Sequence, residues 1–511
     1  MKNINKIIFV GLLALLMGCN DAIEIDQPGR LSAANAFQTV ADLENGVLAL
    51  YNQLDTTPEI ALSSNFTDEL AIGFDSGGQG FALYDFVLNA GSTAASNFWV
   101  RNYRTNNRCS VLIDAAAGIT PDAADQANYN DVLAQAHFIR AYANMELLLY
   151  FSPDPANDAT LAAPVVDFVP GLGYQPLRDT TGDLWTYINA DLAIAESGII
   201  DQSNNTFVSK DAIKAFKARI ALTRGDYPTA QTLATSLLNS YGLANTTEYQ
   251  NMWLDNDNTE TIFKLERVLN DSYDGQGSTG SVSAGGWAGA RFAFVNATLS
   301  GSPYFEMDRS IYDALLPGDI RRDVMVSTTS IISPDYQNDP DPVNNDVLVI
   351  QKYPGSQGRP LMNDLKVFRS SEMLLIAAEA RAYQSDFTGV QNLLQQLRSA
   401  RFGSAQTVAL PGSVSEAVGA VLDERKIELA YEGHRYKDLK RSGVAGGRGV
   451  DRDPIACTIQ SGACTLAASD FRFTLPIPIV EINANPAIFF FVRFLKVLII
   501  ALYIYWTKIN L

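Results

Sequence analysis

Trp287 stands in the run Gly285-Gly286-Trp287-Ala288-Gly289, with Tyr273 before it and Arg291 after it. Glycines on both sides are a poor setting for an indole in a helix core. A flat ring on a loop, with polar side chains nearby, is equipment for stacking on a sugar ring and bonding its hydroxyls. Two readings stand: the ring is a binding platform, or it pins its loop to the scaffold. The chain also holds 56 Asp and Glu, from which carboxylate pairs for glycoside hydrolysis can be chosen freely, yet no motif singles out a pair. Glu424, Glu428 and Glu432 recur at helical spacing and make one stripe of like charge. Such a stripe repels unless cations such as Arg425, Arg369 or Arg435 neutralise it, so ion-paired packing is expected there rather than catalysis.

Metal and thiol chemistry are restricted from the start. Two histidines, His137 and His434, and four cysteines without a Cys-x-x-Cys pair exclude a His-rich or thiolate zinc centre. Asp255-Asn256-Asp257-Asn258-Thr259-Glu260 and the stretch from Asp335 to Asp346 carry oxygen ligands suited to Ca²⁺. Neither has the EF-hand spacing with its central glycine, so solvated turns are expected and no cofactor is assigned. Cys457 and Cys464 lie in a polar loop at a spacing that permits a small disulfide-closed loop, and Cys109 is expected as a buried free thiol. A net charge of −18 argues against nucleic acid and against a basic patch for anionic lipid.

Helical pairs must position these residues. Ser209 is placed to cap a helix bearing Ile213, Phe216 and Ile220; Gly225 suits its left-handed end, and Asp226 caps a second helix with Pro228 in its first turn. The unit spans about the 34 residues of a tetratricopeptide repeat. Ser371–Arg401 repeats the arrangement, with Ser370 or Ser371 as cap and Glu372 in the first turn, and Asp131–Phe151 and Thr181–Ser197 read as further helices. Long irregular insertions separate them: 66–96, 270–294, 333–347 and 443–469. Loops of that length are binding elements or disorder. The fold class is mainly α, a tetratricopeptide-like helix-pair scaffold with long irregular loops and a few short strands.

The N-terminus carries an address. Lys2 and Lys6 precede the apolar run Ile7–Met17, a secretory signal too short to span a bilayer. Leu16-Met17-Gly18-Cys19 looks like a bacterial lipobox, which makes Cys19 the lipidated residue and places the mature protein outside the cytoplasm. Multiple acyl chains hold a protein to a membrane far more firmly than one.

Five stretches then resemble the SusD/RagB family of outer-membrane nutrient-binding lipoproteins. Asn97-Phe98-Trp99 with Tyr103 resembles its early aromatic helix, and Ala134–Ala143 its Arg-Ala-Tyr helix. Phe368–Ala380, ending Ala377-Ala378-Glu379-Ala380, resembles its Arg-x-x-Glu helix, and the segment Glu424–Arg441 matches its most specific motif. Leu475-Pro476-Ile477-Pro478, Glu481 and Asn485-Pro486 resemble its closing segment. The resemblance implies a helical lid over a TonB-dependent, SusC-like barrel transporter, capturing glycan or another nutrient at the cell exterior and passing it on without chemistry. It places Phe81 and Tyr84 where the family often has a binding loop, beside the candidates Trp287, Tyr273 and Arg291. The expected organisation is a signal peptide over 1–18, a lipidated tether over 19–40, one binding domain over 41–486, and an anomalous tail over 487–511. Ile488–Trp506 is apolar and long enough to span a membrane, whereas the family ends soon after Asn-Pro with a polar tail, so a shifted or mis-called terminus is expected. Two competing functions are a secreted glycan-active hydrolase, which would turn over a labelled glycan, and a helical-repeat scaffold that binds only protein and needs no exposed aromatic platform.

Overall fold

The Ser209 side chain accepts a hydrogen bond from the Ala212 N–H, so helix α6 (Lys210–Arg224) starts where the sequence places it. It ends at Gly225, at φ 75°. Asp226 then accepts from the Thr229 N–H and opens α7, Tyr227–Ser240. This computed structural model describes residues 36–73, 76–201, 204–268, 287–292, 303–459 and 462–489. The other long helices are α1 (Val40–Tyr51), α2 (Thr57–Phe66), α3 (Thr93–Ala116), α4 (Gln126–Phe151) and α5 (Thr181–Gly198), then α8 (Ser370–Tyr383), α9 (Phe387–Phe402) and α10 (Val414–Glu428).

Pairs α4/α5, α6/α7 and α8/α9 pack against one another in chain order, with α3 and α1 on the outer side of α4 and α10 closing the far side of α8. Being covered on several sides, α4 is buried almost all round from Asp131 to Phe151, with polar side chains such as Arg140, Asn144 and Glu146 buried among its apolar ones. Trp99 on α3 meets Phe151 edge-to-face at 4.9 Å, and Tyr103 bonds the Pro164 carbonyl at 2.7 Å, so both are core residues. Cys109 is a buried free thiol, pushed up by burial.

The described strands form four two-stranded antiparallel sheets: β1 (Leu70–Ile72) with β3 (Phe305–Met307), β2 (Thr261–Leu265) with β6 (Leu365–Arg369), β4 (Gly355–Ser356) with β5 (Arg359–Pro360), and β7 (Val450–Asp451) with β8 (Thr465–Leu466). Among the described residues no helix is long and apolar enough to cross a membrane. The signal segment, Cys19 and the tail beyond 489 lie outside the described residues.

Two local expectations are corrected. Neither Ser370 nor Ser371 caps α8; the cap position is Arg369, because the Ser370 hydroxyl donates to the Gly242 carbonyl and Ser371 accepts from Arg369. Helix α10 stops at Glu428, and beyond it Tyr431 and Gly433 both take left-handed φ values, 63° and 84°. A Cβ on Gly433 would sit 3.1 Å from Glu59, so the turn needs glycine for space as well. The Glu stripe is neutralised, but mostly by other cations than expected. Arg369 holds Glu428 and Glu432, Arg401 holds Glu428, and Arg321 holds Glu424, while Arg425 pairs with Asp438 and Arg435 with Asp68.

Glu69 is buried and has no ion pair among the described residues. Glu69 accepts the Tyr431 N–H at 3.0 Å, and burial pushes its carboxyl up to about 7. The folded state therefore favours its protonated form. That stabilisation is complete below the unfolded carboxylate range and is lost as pH rises through about 7. Glu69→Gln keeps the acceptor and removes the titration. Between pH 5 and pH 8 the wild type is expected to lose about 2–3 kcal/mol more than the variant, measured by urea unfolding at each pH. Parallel pH profiles would remove Glu69 from this role.

Candidate functional site

Helices α6, α8 and α10, the turn that follows α10 and the closing segment enclose a cleft of about 1540 Å³. Its rim carries apolar side chains in the open: Phe471 is 79 % exposed, and Val444 and Leu177 stand beside the same opening. Phe471 lies in a 3₁₀ turn, Phe471–Phe473, started by Asp470, whose side chain accepts from the Arg472 N–H. In that turn Phe473 goes into the core and Phe471 goes out. Arg472 is held against Asp470 by two hydrogen bonds, at 2.8 and 2.9 Å, so the ring stands next to a fixed ion pair. The loop that gives Leu177 to the wall also bears Phe168 and Tyr174, edge-to-face at 5.1 Å and both exposed. It is tied down where Gln175 bonds the Ala484 carbonyl at 2.9 Å and Asn485 bonds the Pro176 carbonyl at 2.7 Å. Asn485 and Glu481, which receives Trp99 Nε1–H at 3.1 Å, are thus structural fasteners.

The polar floor comes from the motif helices. Arg219 of α6 grips Glu372 of α8 at 2.9 and 2.8 Å, and Arg441 grips Glu379 at 2.8 and 2.7 Å. Asp438 lies between Arg425 and Arg441, which outweigh the effect of its burial and hold it below the usual carboxylate range. Lys440 donates to the free carbonyls at the end of α4, Leu149 and Ser152, at 2.7 and 2.6 Å, and burial lowers it to about 7. His137 sits against Asp191 at 2.6 Å beside Arg140, within the α4/α5 packing.

The residues singled out in the sequence are distributed differently. Tyr273 lies outside the described residues. Trp287 is 4 % exposed, with the Arg359 guanidinium 5.6 Å from its ring centre, so the indole is placed as a pin and not as an open face. Arg291 lies over the Phe305 ring at 4.4 Å, and that same ring fills the space beside Gly80, one residue before Phe81. Arg291 and half-buried Phe81 are therefore brought to one neighbourhood. Tyr84 is fully buried: Arg452 lies 3.6 Å from its ring centre and 4.5 Å from that of Phe86. Arg472 continues this alternation between Phe86 and Phe471, at 5.6 and 5.8 Å. A ladder of arginines and rings thus leads from Tyr84 to the cleft rim.

Cys457 and Cys464 are joined in a disulfide, Cα atoms 5.5 Å apart, across the β7–β8 hairpin. The segment expected as loop from 443 to 469 is largely this hairpin and the short helix Pro454–Ile459, because backbone pairing with a disulfide orders it. Among the described residues no group of three or more His, Cys, Asp or Glu side chains is placed to hold a metal ion. Of the two acidic runs, Asp255 is taken by Lys366 and Asn363, and Asp346 by Arg309 and the Ser333 N–H.

Phe471 was not singled out by its sequence. Asp470 followed by Phe-Arg-Phe is a usable signal, a cap with two rings at alternate positions, but which ring faces out is decided by packing.

Comparison with known proteins agrees with this architecture. The SusD family model matches residues 322–489. SusD-like protein P2 of Formosa agariphila is 27% identical over 490 residues, covering 88% of this chain and 93% of the relative. A SusD superfamily protein from Bacteroides vulgatus superposes with a TM-score of 0.72 at 21% identity, over 88% of this chain and 98% of its own. The surface glycan-binding protein A of Bacteroides fluxus gives 0.67 at 21% identity, over 88% and 97%. The chain thus matches the SusD family model over residues 322–489 and shares the fold of SusD superfamily structures.

Proposed function

We propose that the protein binds oligosaccharide in this cleft and, held at the outer surface through lipid on Cys19, delivers it uncleaved to a TonB-dependent, SusC-like outer-membrane transporter. Residues 41–486 act as the binding unit. Carbohydrate binding is supported by the match to the SusD family model and by likeness to a surface glycan-binding protein. The observation that carries it to this cleft is Phe471, a ring exposed at the mouth of a large cavity beside the fixed Arg472–Asp470 pair. A flat apolar face with polar groups at its edge is what pyranose rings require. Floor carboxylates Glu372 and Asp438 are each committed to guanidinium groups, which favours holding a ligand over general acid–base work. Phe81 and Arg291, around Phe305, form a second contact region, with Trp287 and Tyr84 supporting it from below.

Calorimetric titration with a panel of oligosaccharides is expected to show binding, with the ligand recovered intact by chromatography. Shorter products would instead establish the hydrolase. Phe471→Ala is expected to weaken binding about tenfold. Because the ring is so exposed, the melting temperature should stay near that of the wild type. Undiminished affinity would remove Phe471 from the site.

A further inference from the structure

The cleft floor decides what else a bound glycan must carry. Besides Lys440 and Arg441, which are committed as described above, Arg219 from α6, Arg425 from α10, and His434 and Lys437 from the turn beyond it meet there. Arg219 is saturated, with both oxygens of Glu372 and the Val367 carbonyl within 2.9 Å. The other three have donor capacity left. Arg425 is buried and donates from Nε to Asp438 at 2.8 Å, but its Nη1 has no hydrogen-bond partner among the described residues. Asp438 is itself shared with Arg441, at 3.0 Å, so one carboxylate serves two guanidinium groups. Lys437 Nζ reaches Glu146 and Glu59 only at 3.5 and 3.6 Å. His434 Nδ1 stands 3.9 Å from Glu372, beyond hydrogen-bond range.

Three of these cations lie close enough to His434 to bear on its charge, although Glu372, Asp438, Glu146 and Glu59 face the same floor. Burial first, and then Arg219, Arg425 and Lys437, keep the His434 ring from accepting a proton. A sugar hydroxyl would meet one hydrogen bond of a buried guanidinium without answering its charge. A planar or tetrahedral oxyanion answers both.

We infer that the floor is a subsite for an anionic substituent, a carboxylate or a sulfate ester borne by the bound oligosaccharide, anchored on Arg425 with His434 and Lys437 beside it. This rests on the cleft being the glycan site. Phe471 at the mouth then stacks on one ring while the floor takes the charged group of another.

The full chain is titrated calorimetrically with trigalacturonate and its methyl-esterified form, and with a sulfated galactan trisaccharide and its desulfated form. The charged member of at least one pair is expected to bind about tenfold tighter. Whichever pair shows it identifies the group. The preference should shrink between about 50 and about 500 mM NaCl, since the charges are only partly shielded from solvent ions. Arg425→Lys keeps the charge near Asp438 but loses the fork, and the preference should fall about fivefold, with melting curves recorded in parallel. The salt comparison uses wild-type protein alone and stands if that variant fails to fold. Equal affinities within both pairs, or binding of none of the four, overturn the anionic subsite. The cleft reading itself fails only if the wider oligosaccharide panel also shows no binding.

Discussion

Arg401→Met is expected to lower the unfolding free energy by about 3–5 kcal/mol. Arg401 is fully buried and bonds Glu428 through Nε at 3.0 Å and Nη2 at 2.8 Å. It also bonds Glu260 at 2.7 Å and the Ala244 carbonyl at 3.0 Å, and lies 4.1 Å from the Tyr249 ring centre. Methionine fills much of the volume but leaves Glu428 and Glu260 with Arg369 as their chief remaining partner. Desolvation of a carboxylate in that position outweighs the packing that Met recovers. Adding Glu428→Gln to Arg401→Met should restore part of the loss, because the two residues act as one unit. Burial would raise the Glu428 carboxyl, but Arg401 and Arg369 outweigh it and hold the group far below the usual carboxylate range. Its stabilisation is therefore present above the unfolded carboxylate range and is lost as pH falls toward the folded value. Urea unfolding near neutral pH checks the single variant, and a loss under about 1 kcal/mol would show the network to be dispensable.

Arg452→Leu should come close to that, by a different mechanism. Arg452 is buried, with no ion pair among the described residues. It donates instead to five carbonyls: Asn65 at 3.1 Å, Phe66 at 3.2 Å, Thr67 at 2.9 Å, Tyr84 at 2.7 Å and Ala463 at 2.8 Å. One guanidinium thus fastens the end of α2, the turn carrying Tyr84 and the disulfide hairpin to each other. Without it several buried acceptors lose their donor at once, at a cost of about 1–3 kcal/mol for each that finds no substitute. A total of about 3–5 kcal/mol is expected, together with faster proteolysis within the β7–β8 hairpin. Lysine should not rescue it, since one ammonium cannot span acceptors drawn from three segments. Thermal melting and limited proteolysis decide the matter, and a variant with wild-type resistance on both counts would mean the loops are held by other contacts.

The likeness to the SusD family, the fold class and several helix boundaries were legible in the residues alone. Capping chemistry and apolar spacing are local, which is why α6 and α7 begin and end where Ser209, Gly225 and Asp226 put them. The failures share a cause. Ser370 and Ser371 were available as caps, but the Gly242 carbonyl, far back along the chain, claimed the first, and the Arg369 guanidinium, fixed by distant carboxylates, claimed the second. Glu428 was recognised as needing a cation, yet Arg401 and Arg321 lie on other elements and nothing in their spacing announces the pairing. The binding face was the least legible part. Trp287 and Phe471 are both large rings near glycine or polar residues, and only the surroundings put one inside and the other at the cleft mouth.

By itself, then, the order of residues determined which of the paired stretches are helices and what family the chain resembles, because those depend on neighbours a few positions apart. Which charges meet, which rings stay wet and where a cavity opens were decided only when distant segments packed, because solvent exclusion and ion pairing are properties of the assembled molecule.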